Sequence, residues 1–139
     1  MNLPEFHVAI EQRVASWAIG TLYIADNEPA LTKDQHEFIQ LRVIDGIGIG
    51  DETTGGLRGV KGDSVIHVFL LQFDIYIKLN TSKVRAYELA QMVLDHWQVQ
   101  DLGNGLYLNA GSTQRIGEEA PFYRLNVTVP GAREEILTK

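Results

Sequence analysis

The length, composition and charge of the chain exclude several classes of protein. Its 139 residues, 45% hydrophobic and 22% charged, are enough for one domain with its own core. Twelve Lys and Arg residues stand against 18 Asp and Glu residues, and the net charge of −6 argues against a main role in neutralising nucleic-acid phosphates. The absence of cysteine excludes disulfides, thiolate metal sites and cysteine nucleophiles. Without a signal-peptide pattern or an apolar run of about 18 residues, we expect a soluble protein with no membrane partner.

The N-terminal segment predicts an amphipathic helix over about residues 3–18. Asn2 and Glu5 have the form of a capping box, in which each side chain binds the other residue's free amide. Four apolar residues then recur at spacings of four, four and three, which places them on one stripe: Phe6, Ile10, Val14 and Trp17.

The next segment predicts two short strands and a long loop. Thr21–Ala25 is rich in β-forming residues, and Phe38–Ile44 alternates apolar and polar residues, as is typical of a strand with one face in water. Residues 46–62 hold seven of the 13 glycines. A loop of this length in a compact domain is usually functional or disordered.

A long strand and a second helix dominate the rest of the chain. The strand, about Val65–Leu79, has one apolar face made of Leu71, Phe73, Ile75 and Ile77. The helix, over about 82–98, buries Ala86, Leu89, Ala90, Val93, Leu94 and Trp97. Leu106–Leu108 predicts a short strand and Gly111–Ala120 a polar connection. A last strand runs over Phe122–Val129, and we expect Pro130 and Gly131 to end it.

This order of elements predicts an α+β fold. We expect one largely antiparallel, mixed β-sheet with two α-helices packed on one face and a long Gly-rich loop or hairpin. A single domain would cover residues 1–130, and residues 131–139 would form a frayed C-terminal tail.

A search for chemical motifs finds no pattern for a catalytic, metal or cofactor site. In the glycine-rich loop Lys61 is followed by Gly62 and Asp63, whereas a phosphate-binding loop needs Gly-Lys-Ser/Thr opening a helix. No histidine lies within 25 residues of another, unlike the close pairs of most metal sites. We therefore predict a protein that is not an enzyme and that needs no cofactor or metal.

Two runs, Gln72–Ile77 and Ser82–Ala90, carry a resemblance to a known family. They form the end of the long strand and the start of the second helix. Together with Asp26–Pro29, the Gly55–Gly59 stretch and the closing strand Tyr123–Val129, they resemble the tail terminator-like family of long-tailed bacteriophages and prophages. The resemblance spans nearly the whole chain, and the repetitive stretch Gly46–Gly50 departs from it.

The resemblance implies a structural function in virion assembly. Members of the family cap the tail tube at its set length and form a ring, typically of six copies, to which the head attaches. The implied partners are other copies of the chain, the tail tube protein and the head–tail connector, with no sequence-specific nucleic acid. The implied locations are the host cytoplasm during assembly and the virion tail. The family has no catalytic residues to carry over.

The glycine-rich loop is the predicted docking or oligomer surface, through the charged residues Asp51, Glu52, Arg58 and Lys61. The alternative is a loop that contacts no partner. Two other functions also stay open. Another neck or tail completion protein would share the size, acidity and fold, and ring symmetry and position in the particle would distinguish it. A small ligand-binding or enzymatic α+β domain would instead show a buried polar cluster with strongly shifted pKa values in a cleft.

Overall fold

A computed structural model describes residues 1–17, 23–25, 37–45 and 64–136 of the chain, with the backbone alone for 23–25, 64 and 119. Within these residues two helices pack on one face of a seven-stranded, mostly antiparallel sheet, which confirms the predicted α+β fold. The elements are α1 (Leu3–Ala15), β1 (Tyr23–Ala25), β2 (Glu37–Asp45), β3 (Ser64–Lys78), α2 (Lys83–Trp97), β4 (Gln100–Gly103), β5 (Leu106–Leu108), β6 (Ser112–Glu119) and β7 (Phe122–Ile136).

The start of α1 has the predicted capping box. The Asn2 side chain accepts a hydrogen bond from the Glu5 amide at 3.0 Å, and the Glu5 carboxylate accepts one from the Asn2 amide at 2.9 Å. Two amides that the helix itself cannot satisfy thus gain partners. The start of the helix therefore follows from local sequence, whereas the helix ends at Ala15, before the predicted end near residue 18; its position follows from the buried Phe6 and Ile10.

The sheet is built around the long antiparallel pair β3 and β7. The strand order is β1-β2-β3-β7-β5-β4, and only β1 and β2 pair in parallel. β7 pairs with β3 along one of its edges. Along its other edge it pairs with two strands in succession: β6 pairs with Phe122–Thr128, and β5 pairs with Gly131–Arg133. The strands that flank β7 are therefore interrupted between Asn109 and Gly111.

One face of this pair forms the core. The predicted apolar positions are buried and lie opposite one another across the strands: Leu71 with Val129, Phe73 with Val127, Ile75 with Leu125 and Ile77 with Tyr123. Both helices pack against them, α2 through Leu89, Val93 and Trp97. Burying each large apolar side chain contributes roughly 1.5–3 kcal/mol to folding, so this face dominates the stability of the domain.

Two predicted elements were wrong. The segment expected to be a polar connection is strand β6, which pairs with β7 through a bulge between Arg115 and Gly117. The last strand does not end at Pro130 but continues to Ile136, so residues 131–136 belong to the sheet and not to a frayed tail; residues 137–139 lie outside the described part.

The sequence Pro130-Gly131 fits inside β7 for two physical reasons. The Pro130 carbonyl accepts a hydrogen bond from the Asn109 amide at 2.8 Å, so the side of Pro130 that lacks an N–H faces the interruption between β5 and β6. At Gly131 a Cβ atom would lie 2.4 Å from the Phe69 ring, so the absence of a side chain lets that ring pack against the strand. Neither residue ends the strand, because the neighbouring strands are arranged around them.

Candidate interaction surfaces

The predicted docking residues Asp51, Glu52, Arg58 and Lys61 lie outside the residues that the structure describes. Within the described part, no group of three or more His, Cys, Asp or Glu side chains is arranged to hold a metal ion. Neither of the two described helices is long and apolar enough to cross a membrane. The surfaces considered below were all missed by sequence reasoning.

The face of the sheet that points away from the helices has a polar half. Asp74 is only 4% exposed, and its carboxylate contacts Arg124 Nη2 at 3.0 Å and accepts a hydrogen bond from Asn126 Nδ2 at 3.1 Å. Thr128 donates to the Asn126 side-chain oxygen at 2.9 Å. These groups bind one another, so the arrangement acts as a structural network.

An aromatic cluster adjoins this polar half. Phe38 and Tyr76 stack with ring centroids 4.5 Å apart, and Phe122 meets both rings edge-on. Arg124 lies over the Tyr76 ring at 5.2 Å, which joins the cluster to Asp74. The prediction of a face in water is therefore wrong here, since Phe38, Asp74 and Asn126 are all buried.

The other half of the same face is apolar, and we call it the sheet patch. Tyr107 is 48% exposed, and the other members are half-buried: Ile66, Val68, Leu70, Pro130 and Ala132. A shallow pocket of about 240 Å³ lies among Val68, Leu70, Asn109, Pro130 and Ala132. Asp101 lies opposite Tyr107 and Glu134 opposite Ile66, and both carboxylates are exposed. The exposed Arg42 lies on the same face, opposite Gln72, so the sheet patch is an apolar surface bordered by charges of both signs.

A sequence signal for the sheet patch existed. From Val65 to Leu71 every residue except His67 is apolar, so both faces of this part of β3 carry apolar side chains. Alternation predicts a strand with one face in water, whereas a continuous apolar run predicts a strand covered on both faces. From Leu71 onward apolar and polar residues alternate, and this alternation was taken as the pattern of the whole strand, so the apolar run before it was overlooked.

A second exposed apolar surface, the helix patch, lies at the N-terminal end of α2. It comprises Leu79, Val84 and Tyr87, which are 40%, 64% and 49% exposed. Tyr87 hydrogen-bonds Tyr123 of β7, and burial, followed by this bond, raises the pKa of Tyr123. Three cations lie near this end of the helix, Lys83, Arg85 and Arg115, together with three carboxylates, Glu37, Glu88 and Glu118.

At the opposite end of the sheet a buried arginine joins three elements. Arg133 in β7 is 5% exposed, and its guanidinium donates to the Met1 carbonyl at 3.1 Å and lies 3.6 Å from the Asp45 carboxylate. It also lies over the Phe6 ring of α1 at 5.6 Å. Arg133 thereby connects the end of β7 to the start of α1 and to the end of β2.

Comparisons with known proteins support the fold alone. No family model matches the chain, and no curated protein matches it. Six chains of solved structure match. One of them has 15% sequence identity and a TM-score of 0.65, with 100% of this chain and 98% of that chain covered; its name describes no function. The architecture described above is thus shared with a protein of almost the same extent.

Proposed function

We propose that this chain is a structural tail protein of a phage or prophage. It caps the tail tube, ends tube elongation and, as a ring of copies, provides the surface to which the head joins. The observation that carries the proposal is the sequence resemblance centred on Gln72–Ile77 and Ser82–Ala90. These runs form the end of β3 and the start of α2, the strand and helix that share the core.

The exposed surfaces support a function through contacts with other proteins. The sheet patch is a contiguous apolar surface across β3, β7 and β5, and such surfaces are typical of interaction sites. The helix patch exposes three further apolar side chains. The buried polar network around Asp74 does not favour the enzymatic alternative, because its members pair with one another and none lines the pocket of the sheet patch.

The partners proposed are other copies of the chain, the tail tube protein and the head–tail connector. The protein would act in the host cytoplasm during assembly and in the virion tail afterwards. The net charge of −6 suits a ring around a DNA channel, since an acidic wall repels the phosphates that pass it.

The test is deletion of the gene from its phage or prophage, followed by electron microscopy of the particles. We expect overlong or headless tail tubes, restored to normal length when the wild-type gene is supplied on a plasmid. Normal infectious particles would contradict the proposal. A complete absence of tails would also contradict tube capping and would favour an earlier role, as a neck or tail completion protein.

A further inference from the structure

We infer that Asn104, at the tip of the β4–β5 hairpin, is a site of spontaneous deamidation, and that opening of this hairpin controls the rate. Deamidation converts the neutral side-chain amide of asparagine to a carboxylate, with water consumed and ammonia released. The modification occurs whether or not the chain caps a tail tube, so its test is independent of the proposed function.

Asn104 differs from the other asparagines of the chain in the residue that follows it. Gly105 has no Cβ atom, so no side chain shields its amide nitrogen, which is the atom that attacks. The other five asparagines are each followed by a residue with a side chain: Asn2, Asn27, Asn80, Asn109 and Asn126. Asn104 is also exposed, so water reaches its side chain.

The reaction needs water and no other reactant. The Gly105 nitrogen attacks the side-chain carbonyl carbon of Asn104, a new C–N bond forms, and the bond from that carbon to the NH2 group breaks. The leaving group takes the proton of the Gly105 amide and departs as ammonia, which leaves a five-membered cyclic imide. Water then opens the imide. Cleavage of the new C–N bond gives aspartate, and cleavage of the original backbone C–N bond gives isoaspartate.

The closed turn holds the reacting atoms apart. Asn104 and Gly105 form the two-residue connection between β4 and β5. Their φ angles are 52° and 78°, and a type I′ turn requires positive φ at both positions. In the left-handed region ψ lies near about +47°, which places the Gly105 nitrogen anti to the Cβ atom of Asn104. The peptide between the two residues must therefore rotate before the attack.

The hairpin can open at its tip. The strand β4 lies at the end of the strand order, and its pairing with β5 is irregular between Asp101 and Gly103. The tip is held to β7 by one hydrogen bond of 2.8 Å, which the Glu134 amide donates to the Gly105 carbonyl. Segments with few contacts open locally at a low cost in free energy. We therefore expect deamidation in the folded protein, at a lower rate than in the unfolded chain.

The isoaspartate product changes the main chain itself. It adds one carbon atom to the backbone, which a two-residue type I′ turn cannot hold without a change of geometry. Asn104 and Leu102 line a groove of about 380 Å³ together with Met1, Pro4 and Val8 at the start of α1. Lengthening of the turn should therefore disturb the contact between the hairpin and this helix.

The test is to incubate the full chain in mildly alkaline buffer, with and without urea, and to follow each asparagine by peptide mapping and mass spectrometry. Electron-transfer fragmentation identifies isoaspartate. In the folded protein we expect conversion at Asn104 to be at least about tenfold faster than at the exposed Asn80 and Asn109, and faster still in urea. Equal rates at the three positions would overturn the assignment of the site. Equal rates at Asn104 with and without urea would overturn control by the hairpin.

Asn104→Gly is the matched control. Glycine adopts positive φ without strain, and Gly-Gly supports the same turn, but the variant lacks the amide that reacts. We expect the isoaspartate form, purified from aged wild type, to have a melting temperature lower by about 2–8 °C. Aged Asn104→Gly should melt as it did when fresh. An isoaspartate form that melts like the fresh wild type would contradict the expected effect on the hairpin.

Asn104→Asp distinguishes the effect of charge from that of backbone length. It carries the new carboxylate on an unmodified main chain, and Asp-Gly also favours a type I′ turn. Freshly purified Asn104→Asp should therefore melt like the wild type. A fall equal to that of the isoaspartate form would show that the charge, and not the longer backbone, destabilises the hairpin.

Discussion

His96 and Arg13 join the C-terminal ends of the two helices. The Arg13 guanidinium donates to the His96 carbonyl at 2.5 and 3.2 Å, and His96 Nε2 lies 3.0 Å from the Arg13 carbonyl. The Trp17 ring stacks on the imidazole with centroids 5.5 Å apart. Burial lowers the pKa of His96 below its usual 6.5; the bond to the Arg13 carbonyl opposes this effect and the Arg13 charge adds to it.

This shift predicts a dependence of stability on pH. Because the pKa of His96 is lower in the folded state, the unfolded chain binds the proton more readily, and the contribution of His96 to stability is present above about pH 6.5. It is lost as the pH falls from that value toward the folded-state pKa. We expect His96→Gln to flatten the slope of unfolding free energy against pH in this range, measured by urea unfolding. An unchanged slope in His96→Gln would refute the assignment.

Asp74 lies on the face of β3 opposite the predicted apolar positions, and the structure buries it. Asp74→Ala removes the carboxylate that Arg124 and Asn126 contact, and the loss of a buried, hydrogen-bonded charge pair of this kind costs about 2–4 kcal/mol. Gln72→Ala, two residues earlier on the same face, should cost less than about 1 kcal/mol. Urea unfolding of both variants tests this expectation, and equal losses would show that Asp74 has no special role.

At the scale of elements, strand β7 differs most from its prediction. Its last residues pair with the start of β3 and with β5, and they carry the buried Arg133. We expect a chain that ends after Pro130 to lose its cooperative fold, because the Ser64–Phe69 part of β3 and all of β5 lose their pairing with β7. Removal of residues 137–139 leaves every described strand pair in place and is the control. Circular dichroism and thermal melting measure both, and a stable 1–130 fragment would contradict the structure.

Strand β6, which was predicted as a polar connection, has no apolar pattern of its own. All its residues from Ser112 to Ile116 are exposed, so this part of β6 has no buried side that would require alternating apolar residues. It becomes a strand because β7 offers it unpaired backbone groups, and such a strand is determined by its neighbour more than by its side chains. The helices are the opposite case: each buries an apolar stripe, and both were predicted within a few residues of their ends.

At the scale of the whole molecule, the two faces of the sheet differ in composition and in burial. The face under the helices is a continuous core, and its members were predicted from alternation in β3 and β7. The other face combines a buried polar network, an aromatic cluster and the exposed sheet patch. The exposed patches and the acidic net charge together favour a subunit that works by assembly. The gene deletion tests that function.

The sequence by itself determined the α+β class, the capping box of α1, the apolar stripes of both helices and the inward face of β3 and β7. These features are local, because periodicity within one element states which of its sides avoids water. Only the tertiary structure decided that Pro130 and Gly131 lie inside a strand, that β6 is a strand, and that Asp74 is buried with Arg124 and Asn126. Each of these depends on partners distant in the chain: a gap between β5 and β6, a free strand edge, and side chains about 50 residues away in the sequence. The spacing of residues within one segment contains no information on which strand or side chain lies beside that segment in the sheet. The sequence-based predictions were wrong at these positions for that reason.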